Sequence, residues 1–149
     1  MLHKKLLLIL FSSTLLFLNS SYGENNANES ILIKSCPNND FCFMHPQNLR
    51  PVQSQIIDSI AGQYQNDNIV LNYDLGRYAS QFNEMSEARI EAVDIDGLSG
   101  SILVHNKRMA LRIPKVKGKV RFSMLIVFKE ERQLEQGRRI FNSIQFTEK

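Results

Sequence analysis

Two pairs of side chains in this sequence are of the types that carry chemistry, the histidines His45 and His105 and the cysteines Cys36 and Cys42. A histidine could act as the general base of a small hydrolase if folding brought a nucleophile close to it. No G-x-S-x-G segment marks such a nucleophile, and both histidines lie at expected strand ends, where a solvated side chain is the simpler interpretation. The sequence therefore favours a non-enzymatic protein, with a hydrolase using His45 or His105 as the alternative.

The cysteines are separated by Pro-Asn-Asn-Asp-Phe, a spacing that does not match the C-x-x-C of redox and zinc sites. The turn-forming residues between them would bring Cys36 and Cys42 together, so we expect a disulfide. Residues 94–97, Asp-Ile-Asp-Gly, look like the start of a calcium loop, but His105 stands where that loop needs a glutamate. We expect no metal site and no cofactor.

A candidate binding edge consists of Tyr73, Asp74, Arg77 and Tyr78, which surround a glycine-containing turn at a strand end. Exposed tyrosine and arginine are the favoured anchors of protein interfaces. In the alternative interpretation, Asp74 bonds the local backbone and Tyr73 belongs to the core.

A basic segment with no acidic residue follows later in the chain, and its members are Lys107, Arg108, Arg112, Lys115, Lys117, Lys119 and Arg121. Its second half, Lys115, Lys117, Lys119 and Arg121, is a candidate basic patch for anionic lipid, glycan or an acidic protein. The alternation of the lysines instead favours one exposed face of an edge strand, where they would prevent edge-to-edge pairing. Few aromatic residues are interleaved, so we expect no nucleic-acid partner.

The N-terminus predicts a cleavable signal peptide over residues 1–23. Lys4 and Lys5 precede an apolar stretch over residues 6–18, and Ser21-Tyr22-Gly23 supplies small residues before a cut. An uncleaved anchor is the alternative, but the stretch is shorter than the roughly 20 residues a span needs. We therefore expect export to the periplasm or extracellular space, no transmembrane segment after cleavage, and an oxidising compartment that suits a disulfide. Cleavage would also lower the formal net charge of +3 by two.

The rest of the chain predicts one domain. Residues 24–40 are polar and indicate a flexible N-terminal arm, and residues 41–149 suit a single domain. An apolar stripe predicts a helix over residues 130–143, in which Gly137 would allow close packing. Residues 145–146 would return as a short edge strand.

Strands are predicted over residues 68–73, 89–95, 98–105, 108–113 and 120–128. Asp96-Gly97 joins the second to the third by the preferred type I′ hairpin turn. Pro114 is expected to close the fourth strand, and the fifth is apolar enough to be central and covered on both sides. Residues 55–65 fit either a helical face or a strand with a bulge.

These elements predict an α+β fold, mainly antiparallel sheet with the C-terminal helix packed on one face. A second helix near residues 52–60 would cover the other face and complete a helix–sheet–helix sandwich. The oligomeric state is not predicted.

Four segments carry a resemblance to a known family: Asp-Ser-Ile-Ala-Gly-Gln-Tyr at 58–64, Tyr-Asp-Leu-Gly-Arg-Tyr at 73–78, Ile-Asp-Gly at 95–97 and Ile-Phe-Asn-Ser-Ile-Gln-Phe at 140–146. In this order they resemble the PsbP/Mog1-like α/β sandwich of small exported bacterial proteins, over about residues 41 to 146. The resemblance implies a non-enzymatic scaffold that serves as a binding or assembly accessory, and it transfers no catalytic residue. We therefore expect an exported protein that binds a protein partner, one specific version being an immunity-type protein that neutralises an envelope toxin.

Overall fold

The computed structural model describes residues 31–53 and 60–147. The predicted signal peptide lies outside the described residues. The elements are β1 (Leu32–Ser35), β2 (Phe41–Pro46), β3 (Arg50–Val52), β4 (Ile60–Gln65), β5 (Ile69–Gly76), β6 (Arg89–Ile95), β7 (Leu98–His105), β8 (Arg108–Lys117), β9 (Val120–Phe128), α1 (Leu134–Asn142) and β10 (Gln145–Phe146). Short 3-10 helices cover Pro37–Asn39 and Glu131–Gln133.

The strands form two antiparallel sheets. The large sheet has seven strands in the order β3-β4-β5-β9-β8-β7-β6, and the small one has the order β1-β2-β10. With a single C-terminal α-helix in the described residues, the predicted α+β class with a mainly antiparallel sheet is confirmed. No helix in this part of the chain is long and apolar enough to cross a membrane.

Local sequence explains the two hairpins that form the β6 side of the large sheet. Asp96 and Gly97 both have positive φ, 54° and 78°, as a type I′ turn between β6 and β7 requires. Asn106, at φ 51°, makes the next turn into β8. β9 lies between β5 and β8, so the predicted central strand is confirmed.

The main core lies on one face of the large sheet. Strand β2 packs there through Phe41, whose ring contacts Tyr73 and Phe122 with centroids 5.2 and 4.9 Å away. Helix α1 packs on the same face through its buried residues Gly137, Ile140 and Phe141. A methyl group at Gly137 would lie 2.7 Å from Phe128 and 3.0 Å from Met109, so the glycine does permit close packing.

The opposite face of the large sheet is covered in its middle by the loop between β5 and β6. Phe82 and Met85 of this loop are buried against Leu103 and Ala110, and Leu125 packs beside them. A loop therefore occupies part of the face for which a second helix was considered. Residues 54–59, where most of that helix would lie, are outside the described residues, and the sandwich is not shown.

Several boundaries differ from the sequence predictions. Residues 32–35, assigned to the flexible arm, form β1 because their backbone pairs with β2. Residues 60–65 form a strand paired with β5, which decides the ambiguity for that half of the 55–65 segment. Pro114 does not close β8, since an irregularity in the pairing between Ile113 and Lys117 accommodates the proline and the strand continues.

Candidate functional site

The turn that follows β5 presents an exposed aromatic side chain on an anchored backbone. Tyr78 is 86 % exposed and Arg77 is exposed beside it. The next residue, Ala79, is 2 % exposed, and its amide donates to the Gly76 carbonyl at 3.5 Å. Phe82 in the following loop is buried as well, so Tyr78 projects from a backbone that is anchored on both sides of Ala79.

The register of the large sheet places the basic hairpin beside this turn. Gly76 of β5 pairs directly with Arg121 of β9, and Lys119 lies in the turn just before β9. Two motifs that are about 40 residues apart in the sequence thus meet at one corner of the sheet. We call Arg77, Tyr78, Lys119 and Arg121 the cationic corner.

Lys115 and Lys117 extend the positive charge along β8, which lies one strand further into the sheet. Both are exposed, while Val116 between them is buried. The alternation predicted from the sequence is therefore present. In the strand order β8 lies between β9 and β7, but the edge-strand interpretation still fits the end of β8 that carries the lysines. Pairing with β7 ends at Arg112, and the lysines lie on the part of β8 beyond that residue.

Acidic side chains at the same end of the sheet are displaced toward its β6 edge. Asp94 and Asp96 belong to the β6–β7 hairpin, and each accepts a backbone hydrogen bond. The bond from the Phe146 amide to Asp96 is 2.9 Å long and ties β10 to the large sheet. Arg77, Lys119 and Arg121 form no ion pair with any residue that the structure describes.

The candidate binding edge is divided between the two faces of the large sheet. Tyr73 points to the core, where its ring lies beside those of Phe41, Phe43 and Tyr64. Burial, assisted by Tyr64, raises the pKa of Tyr73 above its ordinary value. Tyr73 is thus a core residue, and the exposed part of the edge is Arg77 with Tyr78.

Asp74 lies on the opposite face, in a polar row that crosses the sheet. Its register partner is Ser123, which in turn pairs with Arg112. The Oδ1 atom of Asp74 is buried and has no hydrogen-bond partner among the described residues, while the Arg112 guanidinium donates to the Gln81 carbonyl at 3.1 Å. Oδ1 of Asp74 therefore makes no hydrogen bond to the backbone of the local turn, whereas the alternative interpretation of this segment predicted one.

His45 forms a hydrogen-bonded chain with a serine that the sequence did not single out. The Ser35 Oγ is 2.8 Å from His45 Nε2, and His45 Nδ1 is 2.9 Å from the Pro46 carbonyl oxygen. Because that carbonyl can only accept, Nδ1 carries the proton and Nε2 accepts from the serine hydroxyl. This order of hydroxyl, imidazole and orienting acceptor is the one that activates a nucleophile.

The imidazole of His45 is nevertheless enclosed. It is 1 % exposed and lies against the rings of Phe43 and Tyr64. Burial lowers its pKa below the ordinary 6.5 and the nearby Arg50 cation adds to this, although the hydrogen bond to Pro46 opposes it. An open cleft of about 280 Å³ lies next to this region, and its described lining residues are Ile31, Gln47, Asn48 and Arg50.

Ser35 was missed because it was assigned to the flexible arm. The sequence Leu-Ile-Lys-Ser at 32–35 has no alternation that would mark a strand. The pairing with β2 is what places Ile33 opposite His45 and Ser35 on the same face, two residues further along. His105, by contrast, lies at the β7–β8 turn, where its Nε2 is 3.0 Å from the Asn106 side-chain amide. The two histidines do not form one site.

Cys36 and Cys42 form a disulfide across the turn between β1 and β2, as the sequence predicted. No free cysteine and no group of three or more histidine, cysteine, aspartate or glutamate side chains able to hold a metal occurs among the described residues. No protein-family model matches the sequence, and no curated protein shows significant similarity to it.

Proposed function

We propose that this chain is an exported protein of the periplasm or extracellular space that binds a partner protein and catalyses no reaction. The signal-like N-terminus and a disulfide typical of oxidising compartments support the location. The exposed aromatic residue at the cationic corner supports the binding role.

Tyr78 is the observation that carries the proposal. Tyrosine supplies a large contact area at a small entropic cost, because only two side-chain torsions must be ordered on binding. Here the backbone is also held in place by the buried neighbour Ala79, so the turn itself has little freedom to lose. An exposed Tyr-Arg pair on a fixed turn has the composition of an interface anchor.

Site-specific photocrosslinking tests this role in the full chain. We would replace Tyr78 with a benzophenone-bearing phenylalanine and irradiate cells of the native host. A matched control carries the same residue at Ile90, which is 58 % exposed on β6, away from the cationic corner. We expect a discrete protein adduct from position 78 and not from position 90, and we expect Tyr78→Ala to weaken capture of the same protein. Equal labelling at both positions, or none at 78, would refute the proposal.

The immunity-type version of this function makes the partner a toxin of the same compartment. The resemblance to PsbP/Mog1-like accessory proteins supports a binding scaffold in general terms. The immunity version is tested by expressing the partner identified by crosslinking in a strain that lacks this protein and measuring growth with and without it. If this version is correct, the partner alone should inhibit growth, and co-expression of this chain should restore it.

A hydrolase is the second candidate, because the Ser35–His45–Pro46 chain has the required order of groups. It ranks lower because the imidazole is enclosed by aromatic rings. Labelling of the oxidised protein with a fluorophosphonate probe decides the matter, with Ser35→Ala as the control. Stoichiometric labelling that Ser35→Ala abolishes would favour the hydrolase over the binding protein.

A further inference from the structure

We infer that the partner presents an acidic protein surface to the cationic corner, with Tyr78 as the apolar anchor between the charges. This inference rests on the proposed binding function and specifies the chemistry of the partner. It follows from the register of β5 against β9 rather than from any single residue.

The geometry brings cations to the corner of the sheet that carries Tyr78. Arg77 precedes it in the chain, and the pairing of Gly76 with Arg121 brings the β9 cations to the same corner. All three basic residues of the corner are exposed, and no described carboxylate pairs with them. An unneutralised positive corner attracts an acidic surface and increases its rate of encounter.

The distribution of acids favours a protein over a membrane. Asp94 and Asp96 lie at the same end of the sheet as the cationic corner, because β6 ends and β7 begins there. A flat anionic bilayer laid against this end would meet these carboxylates as well as the cations, and their negative charge would oppose binding. A compact acidic patch on a protein could contact the β5–β9 corner alone.

Arginine and tyrosine together also suit a protein partner. Both are enriched in the centres of protein interfaces, where arginine binds carboxylates in a bidentate manner while tyrosine fills a pocket. The flanking Lys119 would lie at the rim, where a charge affects association more than dissociation.

Charge reversal with a position-matched control tests the inference. Lys119→Glu with Arg121→Glu reverses the cationic corner, and Lys107→Glu with Arg108→Glu makes the same charge change at the opposite end of β8 and β9. Each pair is introduced into the chain that carries the photocrosslinker at position 78. Circular dichroism and urea denaturation verify that both variants fold.

We expect the corner variant to lose at least about tenfold in adduct yield, the scale of electrostatic steering. The opposite-end variant should stay within about twofold, since its charges lie more than a Debye length of about 8 Å away. The crosslinked peptide of the partner, read by mass spectrometry, should be rich in Asp and Glu.

Three results would overturn the inference. An equal loss in both variants would show a dependence on net charge alone. An unchanged yield in the corner variant, with capture still sensitive to Tyr78→Ala, would retain the binding function but remove the acidic partner. Flotation of the wild-type chain with vesicles of phosphatidylglycerol and phosphatidylcholine that the corner variant abolishes would assign the corner to lipid. No adduct at position 78 in the wild-type chain would instead refute the binding function itself.

Discussion

Removal of the disulfide, by Cys36→Ser with Cys42→Ser, should lower the free energy of unfolding by about 2 kcal/mol. The two cysteines are six residues apart, so the bond closes a short loop in the unfolded chain. In the chain-entropy relation the stabilisation grows with the logarithm of the loop length, and a loop of this size gives about 2 kcal/mol at 25 °C.

The loss of local stability should be greatest at β1, which pairs with β2 alone among the described strands. Among the described residues, β1 is held by its backbone ladder to β2, the Ser35–His45 hydrogen bond and an exposed bond from Lys34 to Gln145. Without the disulfide this strand can open while the seven-stranded sheet persists, because the large core does not depend on it.

Urea denaturation of the oxidised protein and of the double variant measures the effect, with the reduced wild-type protein as the matched control. Both disulfide-free forms should agree, and the amides of β1 should exchange with deuterium before those of β9. A change below about 0.5 kcal/mol would refute the loop-entropy reasoning, and a loss above about 5 kcal/mol would show that the bond supports the whole core.

Three further predictions concern the core, the helix and a turn. Burial lowers the pKa of His45 in the folded protein, so on acidification the imidazole becomes protonated in the unfolded chain before it does in the folded one. The free energy of unfolding should therefore fall as the pH drops below about 6.5, and His45→Gln should reduce this pH dependence in urea titrations. Gly137→Ala should cost about 1–3 kcal/mol through overpacking, against a negligible effect of Glu135→Ala on the exposed helix face, as measured by thermal unfolding. Asp96→Ala should cost about 2 kcal/mol because it removes the acceptor for the Phe146 amide, whereas Asp96→Asn, which keeps an oxygen and tolerates positive φ, should cost less; equal losses would contradict this explanation.

The sequence was a good guide where local patterns and tertiary contacts agree. The Asp-Gly turn requires positive φ, which few other residue pairs accept, so the β6–β7 hairpin was predictable from two residues. The stripe of the C-terminal helix has the 3.6-residue period, and the short return to β10 follows directly. These features depend on neighbours in the chain.

Tertiary pairing decided what local pattern could not. Residues 32–35, Leu-Ile-Lys-Ser, have no strand pattern of their own and form β1 by pairing with the backbone of β2. The alternation of Lys115 and Lys117 predicts exposure on one face of β8, but it does not predict that β7 pairs with this strand only as far as Arg112.

By itself, then, the sequence predicted the α+β class, the disulfide and the β6–β7 hairpin, and the structure confirms all three. Only the folded structure decided that Tyr73 points to the core while Tyr78 points to solvent, because β5 ends at Gly76 and Tyr78 lies in the turn beyond it. It also joined Arg77 to Lys119 and Arg121, and Ser35 to His45. Such pairs are set by strand register, which arises from the burial of a whole face and cannot be inferred from either segment alone.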